Sequence, residues 1–319
     1  MNEITRYDIY FAVVELHVTY SGGFGSRVRR PERITERYRN APRLPPDKEA
    51  PVPETDSHSH SVITRRRALG VVVALAAGGA AVTFAGTRAG TETPAHWDYE
   101  AEGPGHWAEL DRTYRVCGTG HAQSPVDLPS HTQSHPDEHI EIEYGMVAIT
   151  ESVNNGHTVQ TNLPAGNGNR IVVDGRPHEL TQFHFHAPGE HTVDGHSAGM
   201  EFHLVHKDAS GALAVLAILL EPGDGSPFAP LLTALPAAPG STVRIGPVDL
   251  RSLLPTDRAQ FRYTGSLTTP PCTEGVSWTV LRSPLPVSGP ELDRYRSLFA
   301  HTNRPVQPLN GRPVTLAGG

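Results

Sequence analysis

The chain has 319 residues, of which 37% are hydrophobic, and it contains 31 Gly and 29 Pro. This much Gly and Pro excludes an ordinary helical bundle and indicates a turn-rich globular protein. Residues 1–89 hold 13 Lys or Arg against 9 Asp or Glu, so the net charge of −7 leaves −11 for residues 90–319. Because nucleic acids are bound by clustered cations, we expect no nucleic-acid partner for this acidic part.

Residues 1–61 contain Arg- and Pro-rich stretches and lack sustained apolar periodicity, which is typical of disorder. They precede a segment that resembles an export signal, and such signals normally begin near the first residue of a protein. We therefore interpret residues 1–61 as a disordered leader. Our hypothesis is that most of it is an over-extended translation, with the true start close to Val62.

Residues 62–89 predict an export signal of the twin-arginine type. Three arginines, Arg65 to Arg67, precede an uncharged run of 17 residues from Ala68 to Phe84, and small residues suited to cleavage follow at Ala85 and Ala89. A single transmembrane anchor is the alternative, but the run is short for a bilayer and rich in Ala and Gly. We expect the precursor to engage the twin-arginine export machinery and the mature protein to be periplasmic, extracellular or held at the cell envelope.

The sequence has two cysteines, Cys117 and Cys272, both after the predicted signal. In an exported domain an even number of cysteines favours a disulfide, which would stabilise the fold by about 4 to 5 kcal/mol in the chain-entropy model. Metal ligation or two free thiols are the alternatives, and they are less favoured because the sequence has no C-x-x-C spacing.

Residues 90–319 contain no long linker, charge run or internal repeat, so we interpret them as a single domain. Short apolar or alternating segments recur along them, separated by turn signals such as Asn154-Asn155-Gly156. The fold class is therefore predicted to be mainly β, with a large, twisted, mostly antiparallel central sheet. A few short peripheral helices are expected, the best of them over residues 288–299, where Ser288 and Glu291 form a capping box.

The segment LTQFHFHAPGEH, residues 180–191, places two histidines one residue apart. Because side chains alternate faces along a strand, Gln182, His184 and His186 share one face. In GMEFHLVHK, residues 199–207, Glu201 and His203 share one face of another strand. Each strand thus carries a hydrogen-bond acceptor two residues before a histidine, as a metal-bound imidazole requires for its other ring N–H.

These histidines predict a metal site. Each of them taken singly is more often an ordinary core or surface histidine, but the repeated arrangement favours a metal ion. Three neutral imidazoles suit Zn²⁺ and leave a fourth position open for water, which is the pattern of a catalytic and not a structural zinc site.

Seven segments resemble the alpha class of carbonic anhydrases and occur in that family's order, over about residues 95–312. They are HWDY at His96, QSPVDL at Gln123, NNGH at Asn154, QFHFH at Gln182, EFHLVH at Glu201, SLTTPPCTEGVSW at Ser266 and NRPVQPLN at Asn303. The resemblance implies the alpha-carbonic-anhydrase fold and a zinc enzyme. Its reaction would be the reversible hydration of carbon dioxide to bicarbonate and a proton, by attack of zinc-bound hydroxide.

The resemblance also implies roles for individual residues. His184, His186 and His203 would bind Zn²⁺, with Gln182 and Glu201 as the acceptors of their outer ring hydrogens. Thr268 would accept the hydrogen of the hydroxide and donate its own to Glu190. His191 would be a structural histidine, since a fourth ligand would close the position that hydroxide occupies.

The remaining implied roles concern protons, substrate and the cysteines. His157 would be the proton shuttle, although a turn histidine is otherwise more often just exposed. Carbon dioxide would lie in an apolar pocket with Thr269 on its polar side, and for each apolar residue ordinary core packing is the alternative. The apolar lining residues would be Val205, Val215, Leu267 and Trp278. Cys117 and Cys272 match the disulfide pair of exported members of the family.

The sequence departs from many animal members of the family at Ala187-Pro188 and Gln160, which affects expectations about turnover and inhibitors more than about the reaction. A catalytically silent carbonic-anhydrase-like binding domain is the main alternative, and such domains usually lack a ligand. A bare metal-storage protein is a third, and it would not need Thr268 and Glu190. The choice between monomer and dimer stays open.

Overall fold

A computed structural model of the chain describes residues 95–135, 138, 140–148 and 150–318. The predicted leader, residues 1–61, and the predicted export signal, residues 62–89, lie outside the described residues. Within the described ranges, the structure contains no helix with the length and apolar character needed to cross a membrane.

The described part of the chain contains strands of 2 to 14 residues and few helices. The strands are β1 Asp127–Leu128, β2 Glu141–Glu143, β3 Met146–Val147, β4 Thr150–Asn154, β5 Val159–Asn162, β6 Arg170–Val173, β7 Arg176–His186, β8 Thr192–Val193, β9 His196–Ser197, β10 Met200–Lys207, β11 Leu213–Pro222, β12 Thr242–Ile245, β13 Val248–Asp249, β14 Gln260–Ser266, β15 Glu274–Val287 and β16 Thr315–Ala317. The α-helices are α1 Trp107–Leu110, α2 Val116–Thr119, α3 Ala229–Leu232 and α4 Gly289–Leu298, and single 3₁₀ turns lie at Arg112–Tyr114 and Leu250–Leu253.

Eleven of the described strands form one twisted sheet in the order β12-β4-β5-β7-β10-β11-β15-β14-β16, with β6 also paired to β7 and β2 paired to β6. Neighbours in this sheet are antiparallel except for β11 and β15, which run parallel. The predicted fold class, a large and mostly antiparallel sheet with few short helices, is confirmed.

The two central strands β7 and β10 pair in antiparallel register and bury one apolar face. Phe183, Phe185, Phe202 and Leu204 lie in the main hydrophobic cluster and are at most 2% exposed. Burying each such side chain contributes about 1.5 to 3 kcal/mol. Because side chains alternate across a strand, this packing fixes the backbone from which the histidines project on the opposite face.

Helix α4 begins as the sequence predicts, with Ser288 and Glu291 forming a capping box. Its buried residues Leu292 and Tyr295 face the main core. The Tyr295 hydroxyl donates to the backbone carbonyl of Phe185 at 2.7 Å. The helix therefore supports β7 close to the histidines.

The predicted disulfide is present between Cys117 and Cys272, which are 155 residues apart in sequence. It joins α2 to the loop that follows β14, and the Cys272 N–H donates to the carbonyl of Thr269 in that loop at 2.8 Å. Closing a loop of this length stabilises the folded chain by about 5 kcal/mol in the chain-entropy model.

A buried histidine on the core side of β10 makes stability depend on pH. His206 is fully buried; its Nε2 accepts a hydrogen bond from the Tyr144 hydroxyl at 2.8 Å, and its Nδ1 donates to the Ala214 carbonyl at 3.3 Å. Burial lowers the pKa of His206 to about 3, against the opposing effect of the bond to Ala214. An unfolded histidine titrates near pH 6.5, so the unfolded chain takes up this proton first as pH falls. The stability due to the neutral ring is complete above pH about 6.5 and is lost between about 6.5 and 3.

We expect His206→Gln to reduce the loss of stability in acid. The variant should be less stable than the wild type at pH 7.5, because it loses well-fitted hydrogen bonds. The difference in free energy of unfolding between the two proteins should be about 2 kcal/mol smaller at pH 5. Urea unfolding of both proteins at the two pH values measures this, since the contributions of other histidines cancel in the difference. An equal difference in free energy of unfolding at both pH values would show that His206 does not titrate on unfolding.

Candidate active site

Three histidine rings converge on the face of the sheet opposite the main core. His184 and His203 are directly paired across β7 and β10, and His186 lies two residues further along β7. Ring centroids are 4.9 Å apart for His184 and His186, 5.2 Å for His184 and His203, and 4.6 Å for His186 and His203. One ligand nitrogen from each ring lies within 4.8 Å of the others, so the group could hold a metal ion.

The outer nitrogens of two rings are hydrogen-bonded to the acceptors predicted from sequence. His184 Nδ1 lies 2.8 Å from Gln182 Oε1, and His203 Nε2 lies 2.8 Å from Glu201 Oε1. Because a carboxylate or an amide oxygen accepts, each ring must donate its N–H there. The bonds therefore leave Nε2 of His184 and Nδ1 of His203 without a hydrogen.

The third ring has a partner that the sequence did not reveal. His186 Nδ1 donates to the backbone carbonyl of Thr302, 116 residues away. Thr302 directly precedes the segment NRPVQPLN, and a backbone acceptor leaves no side-chain signature in the sequence. His186 Nε2 is buried and has no hydrogen-bond partner among the described residues.

Burial keeps the three imidazoles neutral near pH 7. It lowers the pKa of His184 well below its usual value, with the neighbouring histidine charges acting in the same direction. It lowers the pKa of His186 to about 4 and also lowers that of His203, where the attraction of Glu201 opposes the effect. Neutral imidazoles are the form that binds a metal.

Glu190 lies beside the histidine cluster and is 1% exposed. Its Oε1 accepts a hydrogen bond from the Arg304 backbone N–H at 2.8 Å, and its Oε2 lies 3.6 Å from His186 Nε2. Burial raises the pKa of Glu190 to about 7, against the attraction of His203 and the weaker effect of the nearby Thr268 hydroxyl. Thr268 is buried in the loop after β14, and Glu190 Oε2 is buried without a hydrogen-bond partner among the described residues.

An apolar surface adjoins the cluster. Val205, Val215 and Trp278 are neighbours across β10, β11 and β15, and Leu267 packs against the same hydrophobic cluster. The Trp278 ring centroid is 5.1 Å from that of His203. Four of the residues predicted to line a carbon dioxide pocket therefore belong to one hydrophobic cluster, which contacts His203 through Trp278.

The fifth predicted lining residue and the predicted shuttle lie on loops. Thr269 is half-buried, next in sequence to Thr268. His157 is also half-buried, in the turn after β4, and its ring stacks on Trp97 with 3.7 Å between centroids. Burial lowers the pKa of His157, as does the charge of His96, while Asp98 raises it. No pattern in the sequence marks Trp97, which lies in the HWDY segment, as the partner of His157.

His191 is fully buried between two other polar groups. Its Nδ1 lies 2.7 Å from Glu201 Oε1 and its Nε2 lies 2.7 Å from the Tyr263 hydroxyl. His191, Glu201 and His203 also meet the distance criterion for a metal site. Both ring nitrogens of His191 are already hydrogen-bonded, however, which fits the structural role that the sequence predicts for it.

Comparison with known proteins agrees with this arrangement. The family model for eukaryotic-type carbonic anhydrases matches residues 102–318. The chain belongs to this family. The carbonic anhydrase of Klebsiella pneumoniae is 44% identical over 223 residues, covering 69% of this chain and 90% of that protein. The sequence-based recognition is confirmed, and the chain is an enzyme of the carbonic anhydrase family.

Solved structures give the same result. The alpha-carbonic anhydrase of Thermovibrio ammonificans, in complex with the inhibitor sulfanilamide, superposes with a TM-score of 0.66 at 38% identity, covering 69% of this chain and 99% of that chain. Dioscorin in complex with ascorbate has a TM-score of 0.63 at 30% identity, covering 69% of this chain and 97% of that chain. Because one fold serves proteins with different names, the chemistry must be argued from the site.

Proposed function

We propose that this chain catalyses the zinc-dependent, reversible hydration of carbon dioxide to bicarbonate and a proton. The observation that carries the proposal is the convergence of three neutral imidazoles beside Glu190 and an apolar surface. Carbonic anhydrase family membership supports the same reaction and the same substrate. Stopped-flow measurement of carbon dioxide hydration, made together with a zinc assay, tests it.

The residues fit a zinc ion. His184 Nε2, His186 Nε2 and His203 Nδ1 would hold it, since the opposite nitrogens donate to protein acceptors. The fit is supported by His186 Nε2, a buried polar atom without a protein partner, and by the all-nitrogen donor set, which suits Zn²⁺. When bound, the ion supplies Lewis acidity that makes hydroxide available near pH 7, a value for which carbonic anhydrase is the reference case.

Thr268 and Glu190 would orient the nucleophile. In its ionised form Glu190 can only accept hydrogen bonds, so the Thr268 hydroxyl would donate to its unpartnered Oε2 and keep its own lone pairs free. Those lone pairs then accept the hydrogen of the nucleophile and direct its own lone pair toward the substrate carbon. The bond from the Arg304 N–H to Oε1 holds the carboxylate, which leaves Oε2 for Thr268.

Carbon dioxide, being apolar, would be held by the apolar surface. Val205, Val215, Leu267 and Trp278 offer it hydrophobic contact next to His203 and exclude competing water. Thr269, half-buried beside Thr268, would form the polar side of this pocket.

His157 would carry the proton away from the site. An imidazole ordinarily titrates near neutral pH, and the half-buried His157 keeps contact with solvent, which suits a group that passes protons to buffer; burial lowers its pKa from the ordinary value. We expect His157→Ala to lower kcat by about 10-fold or more in weak buffer while leaving kcat/KM for carbon dioxide nearly unchanged, because proton transfer follows the chemical step. Adding imidazole to the buffer should restore much of the lost rate.

The matched control for this prediction is His106→Ala, which removes an exposed histidine elsewhere. It should leave kcat unchanged in both buffers. A His157→Ala variant that keeps full kcat in weak buffer would contradict the shuttle assignment.

A catalytically silent binding domain is not favoured, because the complete histidine set, Glu190 and Thr268 are all present and close together. Dioscorin has the same fold and was solved with ascorbate, so the fold alone is also compatible with a binding function. A wild-type protein that binds one zinc ion and shows no hydration activity would favour the binding domain.

We also propose that the enzyme is exported by the twin-arginine pathway, with residues 62–89 as a cleaved signal and residues 90–319 as one catalytic domain. The arginines and the uncharged run support this, as does the disulfide, which forms in oxidising compartments. Sequencing the N-terminus of the mature protein from cells should find it at or just after Ala85 or Ala89. Peptides from residues 1–50 in that protein would contradict both the cleavage and the proposed translation start.

A further inference from the structure

One arginine near the site is buried, and its guanidinium has no carboxylate among its hydrogen-bond partners. Arg304 is 1% exposed, and its guanidinium donates at 2.9 Å to Gln123 Oε1, at 2.7 Å to the Ser124 carbonyl and at 2.7 Å to the Cys117 carbonyl. It also lies over the Trp107 ring at 5.8 Å. Burying a cation that is bonded to neutral acceptors costs desolvation free energy, so packing alone does not account for the position of Arg304.

The backbone around Arg304 contacts residues of the proposed active site. The Arg304 N–H donates to Glu190 Oε1 at 2.8 Å. Two residues earlier, the Thr302 carbonyl accepts from His186 Nδ1, while the Thr302 N–H donates to the Ala187 carbonyl at 3.0 Å. Segment 302–304 therefore contacts both the carboxylate and one metal-site ring.

The acceptors of the Arg304 guanidinium lie in segment 117–124, which a disulfide bond joins to the loop after β14. Cys117 is bonded to Cys272, and Gln123 Nε2 donates to the Cys272 carbonyl at 3.1 Å. Gln123 Nε2 also donates to Glu274 Oε1 at 2.9 Å. Arg304 thus joins segment 302–304 to a cross-linked part of the fold.

We propose that Arg304 is a positioning residue for Glu190: its guanidinium fixes segment 302–304 against segment 117–124, and this sets the direction of the N–H that holds the Glu190 carboxylate. The inference rests on the proposed function, because Glu190 is given its role there. Burial lowers the pKa of Arg304 to about 10, and the charge of Glu190 acts against this shift. The guanidinium stays charged at neutral pH. The Arg304 guanidinium and the Glu190 carboxylate are thus held in a fixed position relative to one another.

The test compares Arg304→Met and Arg304→Lys with the matched control Arg312→Met. The Arg312 guanidinium also bonds backbone carbonyls, those of Thr264, Gln123, Pro308 and Leu309, but none in segment 302–304. The full-length protein loaded with zinc is used throughout, and the unfolding midpoint and zinc content are recorded for each variant.

Arg304→Met should lower kcat/KM for carbon dioxide hydration by about 10- to 100-fold with one zinc ion per chain, because a small misplacement of an orienting group has effects of that size. Arg304→Lys keeps the charge and should show a smaller loss. Arg312→Met should lower the unfolding midpoint but keep kcat/KM within about 2-fold. If Arg304→Met does not fold, Arg304→Lys supplies the comparison.

A double-mutant cycle with Glu190→Gln separates positioning from general loosening. If Arg304 acts through Glu190, replacing it in the Glu190→Gln protein should cost less than about 2-fold, because the orientation it sets no longer matters. An equal loss in both backgrounds, or an Arg304 variant with wild-type kcat/KM, would overturn this inference. A wild-type protein without hydration activity would instead overturn the proposed function itself.

Discussion

Replacing His184 with Ala is expected to remove zinc and carbon dioxide hydration together. The change deletes one of three ligand nitrogens that lie within 4.8 Å of one another. Loss of an outer hydrogen-bond partner alone costs about 10- to 100-fold in metal affinity or activity, so loss of the ligand itself should exceed about 100-fold. Zinc per chain after dialysis and the stopped-flow hydration rate measure the two effects.

The control for this experiment is Gln182→Ala, which removes the acceptor of the His184 ring and leaves the ring itself. It should bind zinc about 10- to 100-fold more weakly than the wild type. As zinc is added, its hydration rate should come closer to the wild-type rate than that of His184→Ala does. A His184→Ala protein that retains one zinc ion per chain and the wild-type rate would rule out the proposed ligand set.

Replacing Thr268 with Ala is expected to lower kcat/KM by about 100-fold without loss of zinc, the size typical for removing one oriented catalytic hydrogen bond. Thr268 lies beside Glu190 and does not belong to the histidine cluster, so its hydroxyl can affect orientation and leave metal binding intact. Stopped-flow rates normalised to bound zinc measure the effect.

Thr268→Ser provides the matched variant, since it keeps the hydroxyl and loses one methyl group. It should retain most of the activity, with a modest loss from a less restricted side chain. Equal rates for Thr268→Ala and Thr268→Ser would show that the hydroxyl does not orient the nucleophile.

Local patterns in the sequence are sufficient to predict the fold class and the histidine cluster. Alternation along β7 and β10 puts the phenylalanines on the core face and His184 and His203 on the other, and the structure pairs those two histidines directly. The same two-residue spacing places Gln182 and Glu201 at hydrogen-bonding distance from the rings. These relationships are short-range, so they can be inferred from strand geometry alone.

Contacts between distant segments could not be inferred in the same way. The Thr302 carbonyl reaches His186 across 116 residues, and the Arg304 N–H reaches Glu190 across 114 residues. Both use backbone groups, a carbonyl that every residue type carries and an N–H that only proline lacks, so no side-chain pattern marks them. The stacking of His157 on Trp97 likewise depends on how two loops meet and not on local spacing.

The most direct test of the proposed chemistry is a zinc titration of the metal-free protein. A chelator removes the metal, the protein is exchanged into chelator-free buffer, and the carbon dioxide hydration rate is measured by stopped flow as zinc is added. We expect a negligible rate without zinc and a rate that rises linearly and saturates at one zinc ion per chain, with no recovery in a His203→Ala variant. A rate independent of zinc, or full recovery in His203→Ala, would contradict the proposed chemistry.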